Sequence, residues 1–442
     1  MSNVFYRAVN KKLLEVDYGQ GIYLYDMEGK KYIDASSGAA VSNLGHAHPV
    51  VLEAMMEQAG KVAFSHLSRW TSKPLQELAD LVAGLAPGDL GKLYLVSGGS
   101  EATEAAMKMA RSYFIERDGQ SPKYRIISRW KSFHGNTLGA LSMTGDGRRK
   151  KYTPLLLNFP HIAPAYCYRC PFAKQPETCE VDCAHDLEVC IKTEGAEYVA
   201  AFIGEAVGGA ACGAIVPHRD YYKTIRQICD HYDVLFIDDE VMAGFGRTGS
   251  LFAIDDFGVV PDMICAAKGM SAGYSPLGAV IASERIYDAF KFGSGIFTHG
   301  HTYGGNPLSA AVALAVIKVL QTDGVVANAR LVGDYLLQEM REKLLPFPFV
   351  GDVRGKGLLL GVELVKDKTT KEPYPVKQEV AGRITQTLIK YGVIVYPGTG
   401  NADGVNGDQF LVAPPLIITR DQVDELMNAM TQAFAEFQQQ IG

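Results

Sequence analysis

Short apolar runs without polar alternation recur through the middle of this chain, at 92–96, 124–128, 198–203, 234–238, 263–266 and 279–282. A strand with one wet face alternates apolar and polar residues. A run that is apolar throughout is covered on both faces, as a strand is in a mostly parallel sheet sandwiched between helices. Helical periods separate the runs. After 92–96 come a glycine turn and then Ala102, Ala105, Ala106, Met109, Ala110 and Tyr113, spaced as one helix face. Residues 75–85 and 221–232 also read as helices, and Pro87-Gly88-Asp89 stops the first. The expectation is an α/β domain with a mostly parallel central sheet flanked by helices.

Two flanking parts read differently. Residues 22–25 and 31–34 form a hairpin about Met27-Glu28-Gly29-Lys30. The last third reads as helices at 307–321, 326–344, 378–391 and 420–440 with strands at 358–364 and 393–396, a smaller α+β unit. The expected division is a large domain over 61–311, with the segment 1–60 and residues 312–442 contributing to the small one.

Of the 442 residues, 47% are hydrophobic and 21% charged, which suits a globular chain with ample core; the net charge of −6 leaves no broad basic face for nucleic acid. The opening residues lack the apolar core of a secretion signal, so the expected location is cytoplasmic. The stretch 198–217 approaches the length of a membrane span, but it contains Glu205 and several glycines and reads as a buried strand and loop. Among eight cysteines, Cys167, Cys170, Cys179 and Cys183 form a C-x2-C-x8-C-x3-C run. Such a run can hold zinc or an iron–sulfur cluster, or form a redox bridge; a surface insertion is the competing reading, and no metal is assigned.

Three segments carry chemistry. In 234–249, Asp238, Asp239 and Glu240 end an otherwise buried strand. Buried carboxylates need partners, and a cationic ring nitrogen at the carboxyl ends of the strands would be one; a helix N-cap or a structural ion pair is the alternative. The same stretch holds a literal G-x-G-x-x-G at Gly244, Gly246 and Gly249, yet no helical period follows, which argues against a dinucleotide site. In 95–111, Gly98, Gly99 and Ser100 start a helix directly after a strand, where free N–H groups and the helix dipole favour a phosphate; a tight turn without ligand is the alternative. In 261–280, Lys268 follows an apolar strand and precedes small residues. An amine there is desolvated and can condense with a carbonyl, although most lysines only solvate a surface.

Together with Gly45-His46-Ala47-His48-Pro49 and the closing run at 413–419, these segments resemble the class III pyridoxal-phosphate aminotransferases over nearly the whole chain. The resemblance implies a fold-type I enzyme, ω-aminotransferase-like, with pyridoxal 5′-phosphate held as an internal aldimine on Lys268. Lys268 would move the substrate proton, and Asp239 would keep the ring nitrogen protonated. Val241 and Phe133 would cover the ring faces, Gly99 and Ser100 would hold the phosphate, and Gly98 would let the backbone approach. Met242 stands where a glutamine near the ring oxygen is common. Glu205 and His134 would support the cofactor from behind, and Thr302 would reach the phosphate of a neighbouring subunit, which implies a homodimer or a tetramer.

The implied reaction is ping-pong transfer from a primary amine or ω-amino acid to a keto acid, pyruvate or 2-oxoglutarate. Racemisation, or elimination of a β-substituent such as phosphate, uses the same machinery and is the alternative. Ala210 replaces a gating glutamate, and Leu411-Val412-Ala413 contains no arginine, so a fixed carboxylate clamp is not evident. Trp70, Tyr18, Tyr166 and Tyr168 are aromatic candidates for a substrate wall, or else core or interface residues.

Overall fold

The computed structural model describes residues 3–441; Met1, Ser2 and Gly442, which open and close the ranges read above, lie outside the described residues. Near the N-terminus β1 (Val16–Gln20), β2 (Tyr23–Asp26) and β3 (Lys31–Asp34) form an antiparallel meander. The β2–β3 turn is fixed by Asp26, whose Oδ1 accepts from the N–H groups of Glu28 and Lys30 at 3.1 and 2.8 Å.

The central sheet contains β4 (Leu90–Val96), β5 (Arg125–Arg129), β6 (His161–Ile162), β7 (Val199–Gly204), β8 (Leu235–Asp239), β9 (Met263–Ala267) and β10 (Gly278–Ser283). Its order is β4-β10-β9-β8-β7-β5-β6. From β9 to β6 the neighbours run parallel, and β10 is antiparallel to both β4 and β9. Every residue of β7, β8, β9 and β10 is buried, which is why those runs show no alternation. Helix Gly99–Asp118 lays Ala102, Ala105, Ala106 and Ala110 on this sheet, all fully buried. Small side chains on that face let helix and sheet approach closely.

Beyond it, β11 (Val350–Lys356), β12 (Leu359–Leu364), β13 (Val393–Ile394), β14 (Tyr396–Thr399) and β15 (Asp408–Val412) complete the strands. β11, β12, β15 and β14 make an antiparallel sheet, while β13 pairs in parallel with β3 and so joins chain ends far apart in sequence. The sequence reading had found β12 and the region of β13 and β14, but not β11, β15 or helix Pro49–Lys61. Helix Pro49–Lys61 buries only Val51 and Gln58, too few positions to set a clear apolar period.

The G-x-G-x-x-G run forms turns, with Gly246 and Gly249 at φ +91° and +85°, and only a single 3-10 turn, Ala253–Phe257, follows. The glycines serve packing: a Cβ on Gly249 would lie 2.9 Å from the Arg330 Cα. Between them Arg247 is fully buried and donates to the Leu358 carbonyl at 3.2 Å, the Pro414 carbonyl and Asn43 Oδ1 at 2.7 Å. One guanidinium thus ties together the N-terminal segment, the glycine run and the small antiparallel sheet. Arg247→Met would leave three buried acceptors without a donor, at about 1–3 kcal/mol each. The expected outcome is a large drop in the thermal midpoint; a variant that melts with the parent would show that these bonds contribute little.

Candidate active site

The carboxyl ends of β8 and β9 bring an acid and an amine to the same place. Asp239 closes β8, and its Oδ1 accepts the Val241 N–H at 3.1 Å. Its Oδ2 lies 2.7 Å from Nδ1 of His134, and both side chains are sealed from solvent. His134 is itself fixed: its N–H donates to Thr144 Oγ1 at 2.9 Å, and its carbonyl accepts from Thr103 Oγ1 at 2.6 Å. The remaining ring nitrogen, Nε2, is buried and has no hydrogen-bond partner among the described residues. His134 thus supplies the buried Asp239 carboxyl group with a hydrogen-bond partner inside the protein.

Lys268 leaves the end of β9 with φ +45°, a left-handed conformation that costs a lysine about 1–2 kcal/mol. Among the described residues no hydrogen bond or ion pair holds its Nζ, and the side chain lines a cavity of about 150 Å³ together with Asp239. Burial pushes the amine down to about 8; Asp239 and Glu205 oppose the shift, and Arg148 and Arg247 add to it. This site therefore keeps a substantial neutral fraction near neutral pH, which an exposed lysine lacks.

The opposite wall starts at helix Gly99–Asp118. Glu101 reaches back to accept the Ser97 N–H at 2.7 Å, fixing the strand-to-helix turn. The Ser100 hydroxyl accepts the Asn136 N–H at 3.0 Å and keeps its own proton to donate. Gly99 has to be glycine, because a Cβ there would lie 2.6 Å from Val241 Cγ1. Gly135 has φ +137°, and a Cβ on it would lie 2.5 Å from Ser100 Oγ. By contrast, a Cβ on Gly98 would have no neighbour within 4 Å among the described residues. Helix dipole, N–H groups and hydroxyl form a place for an anionic group.

Phe133, Val241 and Met242 supply apolar lining, and Glu205 lines the cavity as well. Its carboxylate accepts the N–H of Phe133 at 3.3 Å and of Gly209 at 3.0 Å, so it positions the Phe133 backbone. Burial raises the Glu205 pKa, with His134 and Arg129 opposing and Asp239 adding. The structure thus gathers Gly99, Ser100, Phe133, His134, Glu205, Asp239, Val241, Met242 and Lys268 around one cavity. Ala210, read only as a departure from the family pattern, lines it too, as does Gly135 from the Ser-Phe-His-Gly run.

Other candidates lie elsewhere. Thr302 is exposed and outside the cavity. Trp70 is exposed and belongs to a surface hollow with Phe64 and His66, and Tyr18 is exposed and stacks on Tyr25 at 4.4 Å. Tyr166 is buried and donates to Glu363, and Tyr168 lies beside it in the apolar packing around Cys212; neither lines the cavity, although Phe133, which does, packs against the same cluster. The four clustered cysteines are free thiols near 3-10 turns and at the start of helix Asp182–Glu194. They lie close enough that neighbouring thiols add to burial in raising Cys167 and Cys183, the latter to about 12. Among the described residues, no group of three or more His, Cys, Asp or Glu side chains is disposed to hold a metal.

Arg148 has no role assigned from the sequence, where it is one of four consecutive basic residues, Arg148-Arg149-Lys150-Lys151. Its guanidinium lies 4.3 Å from the centroid of the Phe133 ring. No spacing rule links residues 133 and 148; only the folded loop does.

Comparison with known proteins places this geometry in context. The family model described as Aminotransferase class-III matches residues 4–434. The chain is 39% identical to the uncharacterized aminotransferase YodT of Bacillus subtilis (strain 168), over 95% of this chain and 94% of that protein. It is 35% identical to a putrescine–pyruvate aminotransferase of Pseudomonas aeruginosa, over 96% of this chain and 91% of that one. It superposes with a TM-score of 0.92, at 33% identity and 99% coverage of both chains, on an amine transaminase from an uncultivated Pseudomonas species solved in its PLP-bound form.

An amine with a pKa near 8 is half neutral at that pH. Trapping a small aldehyde on the Lys268 peptide with borohydride should therefore increase between about pH 7 and pH 9 and then level off. A yield still climbing steeply above about pH 10 would mean an unshifted lysine.

Proposed function

The chain belongs to the class III aminotransferases, which work with pyridoxal 5′-phosphate, and on that premise we propose that it moves an amino group from a primary amine or ω-amino acid to a keto acid, pyruvate or 2-oxoglutarate, in two alternating half-reactions. The observation that carries this reading is the convergence of a depressed-pKa amine, a histidine-held carboxylate and an anion cradle on one cavity.

The chain's residues fit the cofactor. Gly99 and Ser100 would take its phosphate at the helix start, where the serine still has a proton to donate. Asp239, held in place by His134, would face the ring nitrogen and keep it protonated, and Phe133 and Val241 would cover the ring. When bound, the cofactor supplies an electron sink for the pair left behind at the substrate carbon. Lys268 would bind the cofactor's aldehyde and, once displaced, take the proton from the substrate Cα. With a pKa of about 8 it can accept that proton and return it near neutral pH. Glu205 would keep Phe133 in place through the backbone N–H.

A homodimer, in which Thr302 completes the partner's phosphate site, belongs to the same proposal. Thr302 is exposed beside a surface segment rich in apolar side chains: Phe64 meets Tyr303 edge-on at 5.7 Å, and Leu67 and Trp70 are exposed nearby in sequence. Apolar groups left facing water in this way support an interface. The resemblance to a putrescine–pyruvate aminotransferase supports a primary amine as donor and pyruvate as acceptor.

Lys268→Ala should lower turnover by about 10²–10⁴-fold or more, the usual contribution of a positioned acid–base group. A variant that keeps its rate would remove Lys268 from the reaction. Single-turnover bleaching of the cofactor absorbance with a panel of amines should yield one keto or aldehyde product per site, and an added keto acid should restore the absorbance. Inverted but unconsumed substrate would mean racemisation, and release of a β-substituent would mean elimination.

A further inference from the structure

A cavity of about 150 Å³ is smaller than the ~300–1,000 Å³ of sites that enclose a whole ligand. The cofactor ring fills such a space, so the body of the substrate has to lie outside it. Next to it is a second cavity of about 750 Å³, and Ala210 lines both. Four cations line the second: Arg7 and Lys11 from the N-terminal segment, and Arg148 and Lys150 from the turn Gly147–Leu155. Asp146 is the one acid in its lining. Strand β14 and the loop after it form the far wall, and Lys150 holds that loop by donating to the Gly404 carbonyl at 2.8 Å.

Arg148 stands between the two cavities. It lines the outer one, packs over Phe133 of the inner one, and its charge contributes to lowering the Lys268 pKa. Its Nη1 lies 3.0 Å from Asp146 Oδ2 but makes no aligned hydrogen bond, so the guanidinium retains donors to give. The other arginine felt at Lys268 is Arg247, which is committed to two carbonyls and Asn43 and lines neither cavity. Four cations against one acid in a partly enclosed space concentrate a positive field. The region 411–413, read in sequence for a clamp, supplies no cation. A different segment does.

We propose that the outer cavity binds the tail of the amine substrate and selects a tail ending in an anion, a carboxylate or a phosphate, with Arg148 as its direct partner. Lys150, Arg7 and Lys11 set the field around that contact. A diamine, whose far end is a cation, is disfavoured, which would set this chain apart from the putrescine–pyruvate aminotransferase it resembles. The proposal rests on the transaminase reading of the inner cavity.

The test uses the holoenzyme and single-turnover bleaching with ε-aminocaproate, an aminoalkyl phosphate, hexylamine and cadaverine. An anionic tail should raise the bleaching efficiency, rate over apparent Kd, at least about tenfold above hexylamine, the value of one charge-assisted contact, and cadaverine should rank last. Whether carboxylate or phosphate ranks first identifies the anion. In Arg148→Gln the ratio of anionic to neutral amine should fall by about tenfold through apparent Kd, and Arg148→Lys should recover part of it. Lys150→Gln should lower the ratio less. An equal loss for anionic and neutral amines in Arg148→Gln would reduce Arg148 to a prop for Phe133 and overturn the proposal, as would cadaverine outranking ε-aminocaproate in the unmodified enzyme. Failure of every amine to bleach the chromophore would instead overturn the transaminase reading beneath it.

Discussion

A carboxylate sealed inside a sheet must be answered by a proton or by an opposing charge, because leaving it bare costs several kcal/mol. At the end of β8 three acids in a row face this requirement, and each meets it differently. Asp239 pairs with His134. Glu240 turns away to accept the Ile254 N–H at 2.8 Å. Among the described residues Asp238 has no hydrogen-bond partner outside this acidic group; burial, then repulsion from Glu240, pushes its carboxyl well up, and burial takes Glu240 up to about 7. Burial therefore favours the protonated form of the Asp238–Glu240 pair, and of these three acids Asp239 is the one whose carboxylate lines the cavity.

The rest of the site is arranged around that carboxylate. Thr103 and Thr144 lock the backbone of His134, Glu205 holds the N–H of Phe133, and Arg129 and Tyr222 bind the carbonyl of Glu205. Residues that end or follow five strands of the central sheet, β4, β5, β7, β8 and β9, converge here, at the carboxyl ends where open α/β sheets bind ligands. The small antiparallel sheet is attached from the side through Arg247 and through Arg354, which contacts Glu363 within that sheet and the carbonyls of Cys212 and Gly213 across from it. Both attachments end next to loops that border the cavities, so the packing of the small sheet shapes the outer one.

Much of this was legible in the residues. The apolar runs of β7 to β10 could be read because full burial suppresses alternation, and Gly99-Ser100, Asp239 and Lys268 could be read because each sits at a strand's end in a pattern with few other uses. The strands β11 and β15 were harder. Gly351, Asp352, Arg354, Gly355 and Lys356 interrupt the first with residues of low strand propensity, and Asp408 and Gln409 place polar groups at the start of the second. Their burial is compensated by contacts from distant segments, as when Asp408 accepts the Ala381 N–H at 2.8 Å.

The sequence alone determined the fully buried strands β7 to β10, the glycine turn that starts a helix after β4, and which lysine and aspartate end buried strands, because these follow from local periodicity and from residue types with narrow uses. Only the tertiary structure decided that His134 rather than a neighbour answers Asp239, that Trp70, Tyr18 and Thr302 stay outside this chain's own cavity, and that Arg148 lies over Phe133 at the mouth of a cationic chamber. The physical reason is range. Backbone propensity and burial patterns act over a few residues, whereas a charge is felt by whatever the fold brings within a few ångströms: His134 meets Asp239 across 105 residues of chain and Arg247 meets Leu358 across 111.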